Sequence, residues 1–214
     1  YFREFLRQYM MMDAPKKADY PSWNKRQYVI DSIAFATDPL CGWCKKHTKK
    51  DGSFYNVYTD GLKIFTTIDS HMQRYAEESV YGHVAQFLQP AFNAENRKKP
   101  NAPFTSELTP EQVRQIIGRS IRQSERYRNM REAGASPEEI DKAFHTPTDM
   151  SVFTYHGDID TVMTPLDSIR YYKSFLRAGF MSMDPHTGQV KAYVGGIDFE
   201  HFQYDMVMGG RRQV

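Results

Sequence analysis

The chain has 214 residues, with 28 basic and 26 acidic side chains and a net charge of +2. This near balance argues against a nucleic-acid-binding surface, and no apolar run approaches the length of a transmembrane helix. The length allows one large or two small domains with a real core. The 14 Tyr and 14 Phe residues suit extensive packing, and also contacts with sugars or peptides.

The first sixty residues combine one helical pattern with a long polar stretch. Phe2, Phe5, Leu6 and Tyr9 recur at helical spacing, which predicts a short helix within residues 1–12. Residues 13–60 are polar and rich in turn formers, so we expect a linker. Two short strands are predicted within it, at 28–33 and 54–58.

Residues 61–90 are predicted to form a strand followed by a helix. The segment 61–68 alternates apolar and polar side chains, as a half-buried strand does. Asp69 and Ser70 then offer an N-cap. An apolar stripe at i, i+3, i+4 spacing continues to Phe87, and the predicted helix ends at Pro90.

Capping sequences predict three more helices after an exposed loop at 91–108. Each has Ser or Thr directly before Pro, and the three begin at Thr109, Ser136 and Thr164. The first is expected to run to about Arg131, and the third to end with Gly179 beyond its last turn. A short strand is predicted at 150–155.

A β-hairpin is predicted near the end of the chain. Its strands are the apolar runs 180–183 and 190–194, and Asp184-Pro185-His186-Thr187-Gly188 joins them. Asp caps such a turn, Pro fixes φ at the next position, and Gly supplies a corner with positive φ. A hairpin alone is marginal in water, so we expect a sheet and a helix behind it.

Two cysteines form the sharpest local motif, Cys41-Gly42-Trp43-Cys44, with His47 three residues on. The sequence around the motif lacks the βαβ context that a redox pair needs. It also offers only three of the four ligands that a zinc site needs. Haem attachment needs a histidine directly after the second cysteine, and Lys45 stands there. We favour linker cysteines, oxidised to a local disulfide if the compartment is extracytoplasmic.

The other polar clusters do not predict a metal site or an acid–base pair. His156, Asp158 and Asp160 lie on an expected turn, and His145 with Asp149 is too few ligands. The adjacent carboxylates at 77–78 point about 100° apart on a helix, so they cannot act as a catalytic pair. No cofactor or metal is expected.

Arginines recur along the segment 114–131, with Glu125 and Glu132 among them or beside them. The favoured interpretation is a solvated helix face with i, i+4 ion pairs. An acidic partner or a lipid headgroup is the alternative. The arginines are Arg114, Arg119, Arg122, Arg126, Arg128 and Arg131.

Several motifs elsewhere in the sequence resemble those of class A penicillin-binding proteins of the 1A type, the bifunctional peptidoglycan synthases. The hairpin motif is Asp184-Pro185-x-Thr187-Gly188-x-Val190-x-Ala192-x-Val194-Gly195-Gly196, followed by Tyr204-Asp205 and Arg211-Arg212-Gln213-Val214. The segments Tyr1-Phe2-x-Glu4 and Gly61-Leu62-x-Ile64-x-Thr66-Thr67-Ile68-Asp69 are similar as well. The resemblance covers about 1–90 and 165–214 by motif, and the middle only by position.

The resemblance implies an α+β fold: an antiparallel sheet with packed helices, which begins a transpeptidase domain, plus a mostly helical insertion. The hairpin and strand 61–68 would share the sheet, covered by helix 70–88. The implied domains are a linker at 1–60 after a glycosyltransferase domain, an entry strand and helix at 61–90, an insertion at 91–164, and the first part of the transpeptidase domain at 165–214.

The resemblance places the acylated serine, in Gly-Ser-x-x-Lys, directly after Val214, and so no catalytic residue is assigned within the chain. Arg211 and Arg212 would lie on the approach to that serine, in a structural or electrostatic role. Ser22-Trp23-Asn24 and His186-Thr187-Gly188 match other transpeptidase motifs only by their letters. We expect the fragment alone to be inactive.

The expected function is that of the parent synthase, which polymerises lipid-linked disaccharide and cross-links stem peptides through a serine acyl-enzyme. Its partners would be these two substrates and β-lactams, not nucleic acid. It would be anchored in the bacterial inner membrane and face the periplasm. The alternative is a non-catalytic interaction module at 91–160 that docks a cell-envelope regulator or scaffold protein.

Overall fold

The computed structural model describes residues 1–208, which form a mixed α+β structure with two small antiparallel sheets. The predicted fold class is therefore confirmed. The chain divides into two compact units. The first comprises Tyr1–Ala76, Gly179–Phe199 and the described residues from Gln203 onward, and the second comprises Glu77–Ala178 and Glu200–Phe202.

The first unit contains four helices before the hairpin. The predicted first helix is confirmed as α1, and its Phe2 ring packs 5.6 Å from the ring of Tyr193. Tyr9, also on α1, donates a hydrogen bond of 2.7 Å to the Asp38 carboxylate. The helices are α1 (Phe2–Met10), α2 (Lys25–Thr37), α3 (Trp43–Lys46) and α4 (Ser70–His83), of which α4 continues into the second unit.

Both strands predicted in the linker are wrong. Residues 28–33 lie in α2, where local i, i+4 bonds stabilise the helix: Gln27 donates to Asp31 at 2.8 Å, and Ser32 donates to the Tyr28 carbonyl at 2.6 Å. Such short-range bonds override the β-propensity of a few branched side chains. Residues 54–58 form no strand, only a single bridge from Phe54.

The hairpin is confirmed to the residue, with β3 at Phe180–Met183 and β4 at Val190–Val194. The strands pair antiparallel from Phe180 opposite Val194, with a register shift between Ser182 and Met183. The last three residues of β4, which begin at Ala192, are all buried. This strand is therefore the centre of the first unit's core.

The third strand predicted at 61–68 is wrong, because these residues pair with no strand in the described structure. The end of the segment does lie along β4. There Thr67 donates through its hydroxyl to the Val190 carbonyl at 2.7 Å, and the Asp69 N–H donates to the Lys191 carbonyl at 2.9 Å. Isolated bonds thus take the place of a regular ladder.

A close approach explains the glycine pair that follows β4. The Tyr1 ring lies against Gly195 so closely that an added Cβ there would be 2.5 Å from the Cβ of Tyr1. The Tyr1 hydroxyl donates to the Asp198 carbonyl at 2.6 Å. Only a residue without a side chain fits beneath this ring.

The second unit is mostly helical. Its α5 begins directly after a π-helical turn at Val84–Leu88. The predicted helix end at Pro90 is wrong, because Pro90 lies in the first turn of α5, where its missing N–H has no intrahelical partner to lose. The helices are α5 (Gln89–Asn96), α6 (Pro110–Gln123), α7 (Glu125–Glu132), α8 (Pro137–His145) and α9 (Pro165–Lys173).

The capping sequences predicted the starts of α6, α8 and α9 correctly. The capping boxes of Thr109 and Ser136 are both formed. The single helix predicted from Thr109 to about Arg131 is wrong, since it breaks at Ser124. This residue has extended φ and ψ, and its hydroxyl accepts a hydrogen bond from the Tyr127 N–H, so it ends α6 and caps α7.

The sheet of this unit has one predicted and one unpredicted strand. β1 spans Thr148–Val152, slightly earlier than expected, and β2 spans Ile159–Met163. They pair antiparallel from Thr148 opposite Met163. β2 was missed because its first residues read as a turn, and two of its apolar side chains are exposed. Helix α9 ends at Lys173, so Gly179 does not terminate it.

The core of the second unit uses side chains to satisfy backbone groups. Gln89 is 4 % exposed, and its amide donates to the Ser174 carbonyl at 2.9 Å and accepts from the Leu176 N–H at 2.8 Å. The Tyr171 hydroxyl donates to the Phe153 carbonyl at 2.7 Å. These bonds join α5, α9 and the end of β1 around a cluster of aromatic rings.

Within residues 1–208, no helix combines the length and the apolar character needed to cross a membrane.

Gly195→Ala should destabilise the chain by about 1–3 kcal/mol, because the new methyl group overlaps the Tyr1 side chain in a packed site. The measurement is the urea unfolding midpoint. Gly82→Ala is the control, since open space surrounds Gly82 on α4 and alanine favours a helix. Combining Gly195→Ala with Tyr1→Ala should recover part of the loss. An unchanged midpoint for Gly195→Ala would contradict the close approach.

Candidate functional site

The hairpin turn is organised by the Asp184 carboxylate. Its Oδ1 accepts hydrogen bonds from the N–H groups of His186 at 2.8 Å and Thr187 at 3.1 Å. Gly188 follows with φ of +72°, as the sequence predicts. The bonds from these backbone N–H groups, His186 first, lower the pKa of the Asp184 carboxyl. His186-Thr187-Gly188 is therefore a structural turn.

The outer edge of β4 is completed by a side chain of α4. The Gln73 amide accepts from the Tyr193 N–H at 2.7 Å and donates to the Tyr193 carbonyl at 2.9 Å. Both groups of one residue are thus paired as a neighbouring strand would pair them. This contact holds the start of α4 against the hairpin.

Tyr193 also controls the loop that follows the hairpin. Its ring is buried, and its hydroxyl donates to the Asp205 carboxylate at 2.6 Å. The other oxygen of Asp205 accepts from the N–H groups of Val207 at 2.8 Å and Met208 at 3.1 Å. Burial, followed by the bond to Asp205, raises the pKa of Tyr193. The loop is therefore pinned just before residue 209.

Arg211 and Arg212, predicted to lie on the approach to a serine, fall outside the described residues. The structure places the hairpin and the pinned loop directly before them. We take the hairpin, Gln73 and the loop residues 195–199 and 203–208 as the candidate site, because their hydrogen bonds fix the backbone up to Met208.

Both cysteines are free thiols, and both are fully buried. Cys41 Sγ lies 3.6 Å from the Met12 sulfur. Burial raises the pKa of each thiol. His47 stacks on the Trp43 ring and bonds to the Trp43 carbonyl at 2.8 Å, so its Nδ1 is already engaged. The pair has the features of inert core thiols rather than of a redox centre.

The histidines and aspartates that were noted in the sequence do not come together around a common metal position. Asp158 pairs with His201 at 3.2 Å, while the side chain of His145 lies 3.6 Å from Asp141 on its own helix. His156 and Asp149 are exposed. Across the described part of the chain, no three His, Cys, Asp or Glu side chains are grouped to hold a metal ion.

Two other groups considered for catalysis, the carboxylates at 77–78 and the segment at Ser22, also lack a catalytic arrangement. Glu77 and Glu78 are exposed on α4. Ser22, considered for its place before Asn24, also stands three residues before Lys25. It lies in an exposed three-residue 3-10 helix, whereas Lys25 begins α2. The two therefore do not share one helix, as an activated serine and its lysine base do.

The arginine series is solvent-exposed, as the favoured interpretation expects, but the i, i+4 ion pairs are not found among the described residues. Arg114 pairs with Glu111 at 2.7 Å, one turn earlier on α6. In the described structure, Glu125 and Glu132 form no ion pair with any arginine of α6 or α7. Five arginines of the series consequently have no carboxylate partner among the described residues: Arg119, Arg122, Arg126, Arg128 and Arg131.

Sequence reasoning missed the residues that hold the candidate site together. Gln73 belongs to the polar face of a helical pattern and gives no signal of its pairing with β4. Asp205 was noted only within Tyr204-Asp205 of the resemblance. Tyr193 shares its strand face with Lys191, opposite the apolar face of Val190, Ala192 and Val194, so the strand pattern gave no sign of its burial.

The second unit also carries a recognisable family signal. Residues 99–176, about a third of the chain, match the model of the penicillin-binding protein middle domain. This match supports a penicillin-binding protein family. No curated protein and no solved structure gives a significant match.

Most of the match, residues 99–164, lies where the sequence resemblance held only by position, and its last part, 165–176, lies in the segment that resembles the family by motif. It covers α6–α9 and the sheet of β1 and β2. The match supports a penicillin-binding protein family for this part of the chain. The four domain bounds proposed from the sequence stay predictions.

Asp184→Asn should make the stability less dependent on pH below about 4. Because the pKa of Asp184 is lowered in the folded chain, its stabilisation is complete above the unfolded pKa and is lost as the pH falls through the folded pKa. Asparagine can still accept both backbone bonds without titrating. The measurement is the urea midpoint between pH 6 and pH 3.

The control for this comparison is Asp19→Asn, because Asp19 is exposed and makes no side-chain hydrogen bond in the described structure. It should keep the pH dependence of the original chain. If Asp184→Asn and the original chain lose stability equally toward pH 3, the carboxylate does not organise the turn.

Cys41 and Cys44 should react with a thiol reagent such as dithionitrobenzoate only when the chain opens. Because both thiols are buried and have raised pKa values, we expect reaction at neutral pH to be at least about tenfold slower in the native chain than in guanidinium. Rapid native reaction of the reduced protein would show that the pair is accessible.

Proposed function

We propose that this chain is part of a class A penicillin-binding protein, and that it comprises the linker and the first part of the transpeptidase domain. The observation that carries the proposal is the order in which the middle-domain match and the hairpin follow each other along the chain. The middle-domain match ends at 176, and the hairpin with the Asp184-Pro185-x-Thr187-Gly188 turn begins four residues later.

The parent protein, on this proposal, polymerises lipid-linked disaccharide and cross-links stem peptides through a serine acyl-enzyme. β-Lactams would acylate the same serine. It would be held at the bacterial inner membrane and face the periplasm. The role of the present residues is positional: Tyr193 and Asp205 fix the end of the loop from which the serine segment would continue.

The parent protein should be labelled by fluorescent penicillin, and Tyr193→Phe should slow that labelling. Loss of the bond between Tyr193 and Asp205 removes roughly 1 kcal/mol that orders the loop, so we expect a decrease of up to about tenfold. Tyr58→Phe is the control, because Tyr58 is 69 % exposed and its ring is kept.

Two results would remove the transpeptidase proposal. One is an absence of penicillin labelling of the original parent protein. The other is a sequence after Val214 that differs from Gly-Ser-x-x-Lys. Equal labelling of Tyr193→Phe and the original would leave the family intact and exclude the positional role of Tyr193.

The second candidate function is a non-catalytic interaction module within 91–160 for a cell-envelope regulator or scaffold protein. The specific observation is the set of arginines on α6 and α7 that lack carboxylate partners in the described part of the chain. Exposed cations without carboxylate partners favour an acidic partner. A pull-down with the full chain that retains no partner would count against this function.

A further inference from the structure

Helices α6, α7 and α8 enclose a cavity of about 260 Å³ that opens to solvent. Its lower wall is apolar, formed by Ile121 of α6 with Ile140 and Phe144 of α8. Ile140 and Phe144 are 5 % and 2 % exposed, so they belong to the core of the unit. The cavity therefore offers an apolar floor within reach of solvent.

The rim of this cavity is cationic. Arg122 of α6 and Arg131 of α7 line it, and neither side chain forms an ion pair or a hydrogen bond within the described structure. Tyr127 lies between them along the chain and adds a half-buried phenol to the same lining. Two guanidinium groups and a hydroxyl are the donors that proteins use to bind carboxylates.

Asp141 is the acidic member of the lining, and it forms no ion pair with either arginine, so the two guanidinium groups outnumber the one carboxylate. Its carboxylate lies 3.6 Å from the Nδ1 atom of His145, on the same helix α8. Arg122 and Arg131 belong to the other two helices. The positive charge of the rim is thus available to a ligand.

Gly118 leaves room for Arg122. It lies in the middle of α6 with a helical φ, so its conformation does not require glycine. A Cβ at this position would approach the Arg122 guanidinium to 3.4 Å. Glycine within a helix costs about 0.5–1 kcal/mol relative to alanine. The open space beside Arg122 therefore exists at some cost to the helix.

The size of the cavity indicates what can enter it. At about 260 Å³ it is smaller than the roughly 300–1,000 Å³ of pockets that enclose a whole drug-sized ligand. One apolar side chain fits such a site as an anchor, while the groups beside it stay at the rim. A flat lipid surface would contact the arginines but leave the cavity unfilled.

We propose that this cavity binds an acidic peptide segment of a protein partner. An apolar side chain of the segment occupies the floor formed by Ile121, Ile140 and Phe144, and carboxylates next to it pair with Arg122 and Arg131. The proposal rests on the second proposed function, for which it supplies the site and the chemistry of the partner. It is independent of the transpeptidase function.

The test measures fluorescence anisotropy of labelled hexapeptides with the full chain at about 0.15 M salt, where weak long-range attraction is screened. The probe Ser-Gly-Leu-Glu-Glu-Ser carries both features. Ser-Gly-Leu-Gln-Gln-Ser lacks the charges, and Ser-Gly-Gly-Glu-Glu-Ser lacks the anchor. We expect the first to bind, and each of the others to bind at least about tenfold more weakly.

Two chain variants locate the site. Arg122→Gln combined with Arg131→Gln should weaken the acidic leucine peptide at least about tenfold. The matched control is Arg119→Gln combined with Arg128→Gln, which removes the same charge from exposed positions outside the cavity lining. It should change the affinity less than about threefold. Gly118→Leu fills the cavity but keeps both arginines, and should also weaken binding.

Each other outcome overturns the proposal. These are no binding of the acidic leucine peptide, equal losses in the two arginine pairs, or equal binding of the peptide without leucine. Binding to phosphatidylglycerol vesicles that depends on Arg122 and Arg131, without peptide binding, would assign the rim to lipid. Circular dichroism checks that each variant is folded. If Gly118→Leu unfolds, the comparison between the two arginine pairs decides the test.

The site and the wider function fail in different ways. A protein captured by the full chain and retained equally by Arg122→Gln with Arg131→Gln would exclude this cavity and leave the interaction function standing. Penicillin labelling of the parent should not respond to these substitutions, because all of them belong to the second unit, whereas the hairpin belongs to the first.

Discussion

The first unit depends on how the free edge of β4 is satisfied. A two-stranded hairpin buries little surface and leaves one row of backbone groups unpaired on each strand. Here Gln73 bonds to both backbone groups of Tyr193, and Asp69 bonds to the neighbouring Lys191. This closure lets Tyr193 stay buried, with its hydroxyl on Asp205. The loop before residue 209 is therefore held by the same contact that stabilises the hairpin.

The second unit applies the same device in a helical setting. Gln89, a buried polar residue, joins α5 to the Ser174 carbonyl and the Leu176 N–H after α9. A buried amide is tolerated only when its donors and acceptors are paired, so these bonds also specify how the elements meet. The surface of the unit differs, since five arginines of α6 and α7 have no carboxylate partner among the described residues. A paired interior with an unpaired cationic rim is consistent with a binding role for that surface.

Sequence patterns predicted correctly the helix starts and the turn whose hydrogen bonds are all local. They failed for segments whose structure depends on other contacts. The capping boxes of Thr109 and Ser136 and the hairpin turn at Asp184 were found because all their bonds lie within a few residues. Alternation at 61–68 predicted a strand, but within residues 1–208 no strand pairs with this segment as a ladder. Branched side chains at 28–33 predicted another, yet i, i+4 bonds form a helix there.

The sequence by itself determined the fold class, the helix starts, the hairpin and the family resemblance, since each follows from short-range geometry or from a contiguous motif. Only the tertiary structure decided that the cysteines are buried and that five arginines of α6 and α7 have no carboxylate partner within residues 1–208. It alone showed how Gln73 meets Tyr193, 120 residues away. Contacts across such separations depend on where whole elements pack, and the side chains that make them have no local pattern to mark them.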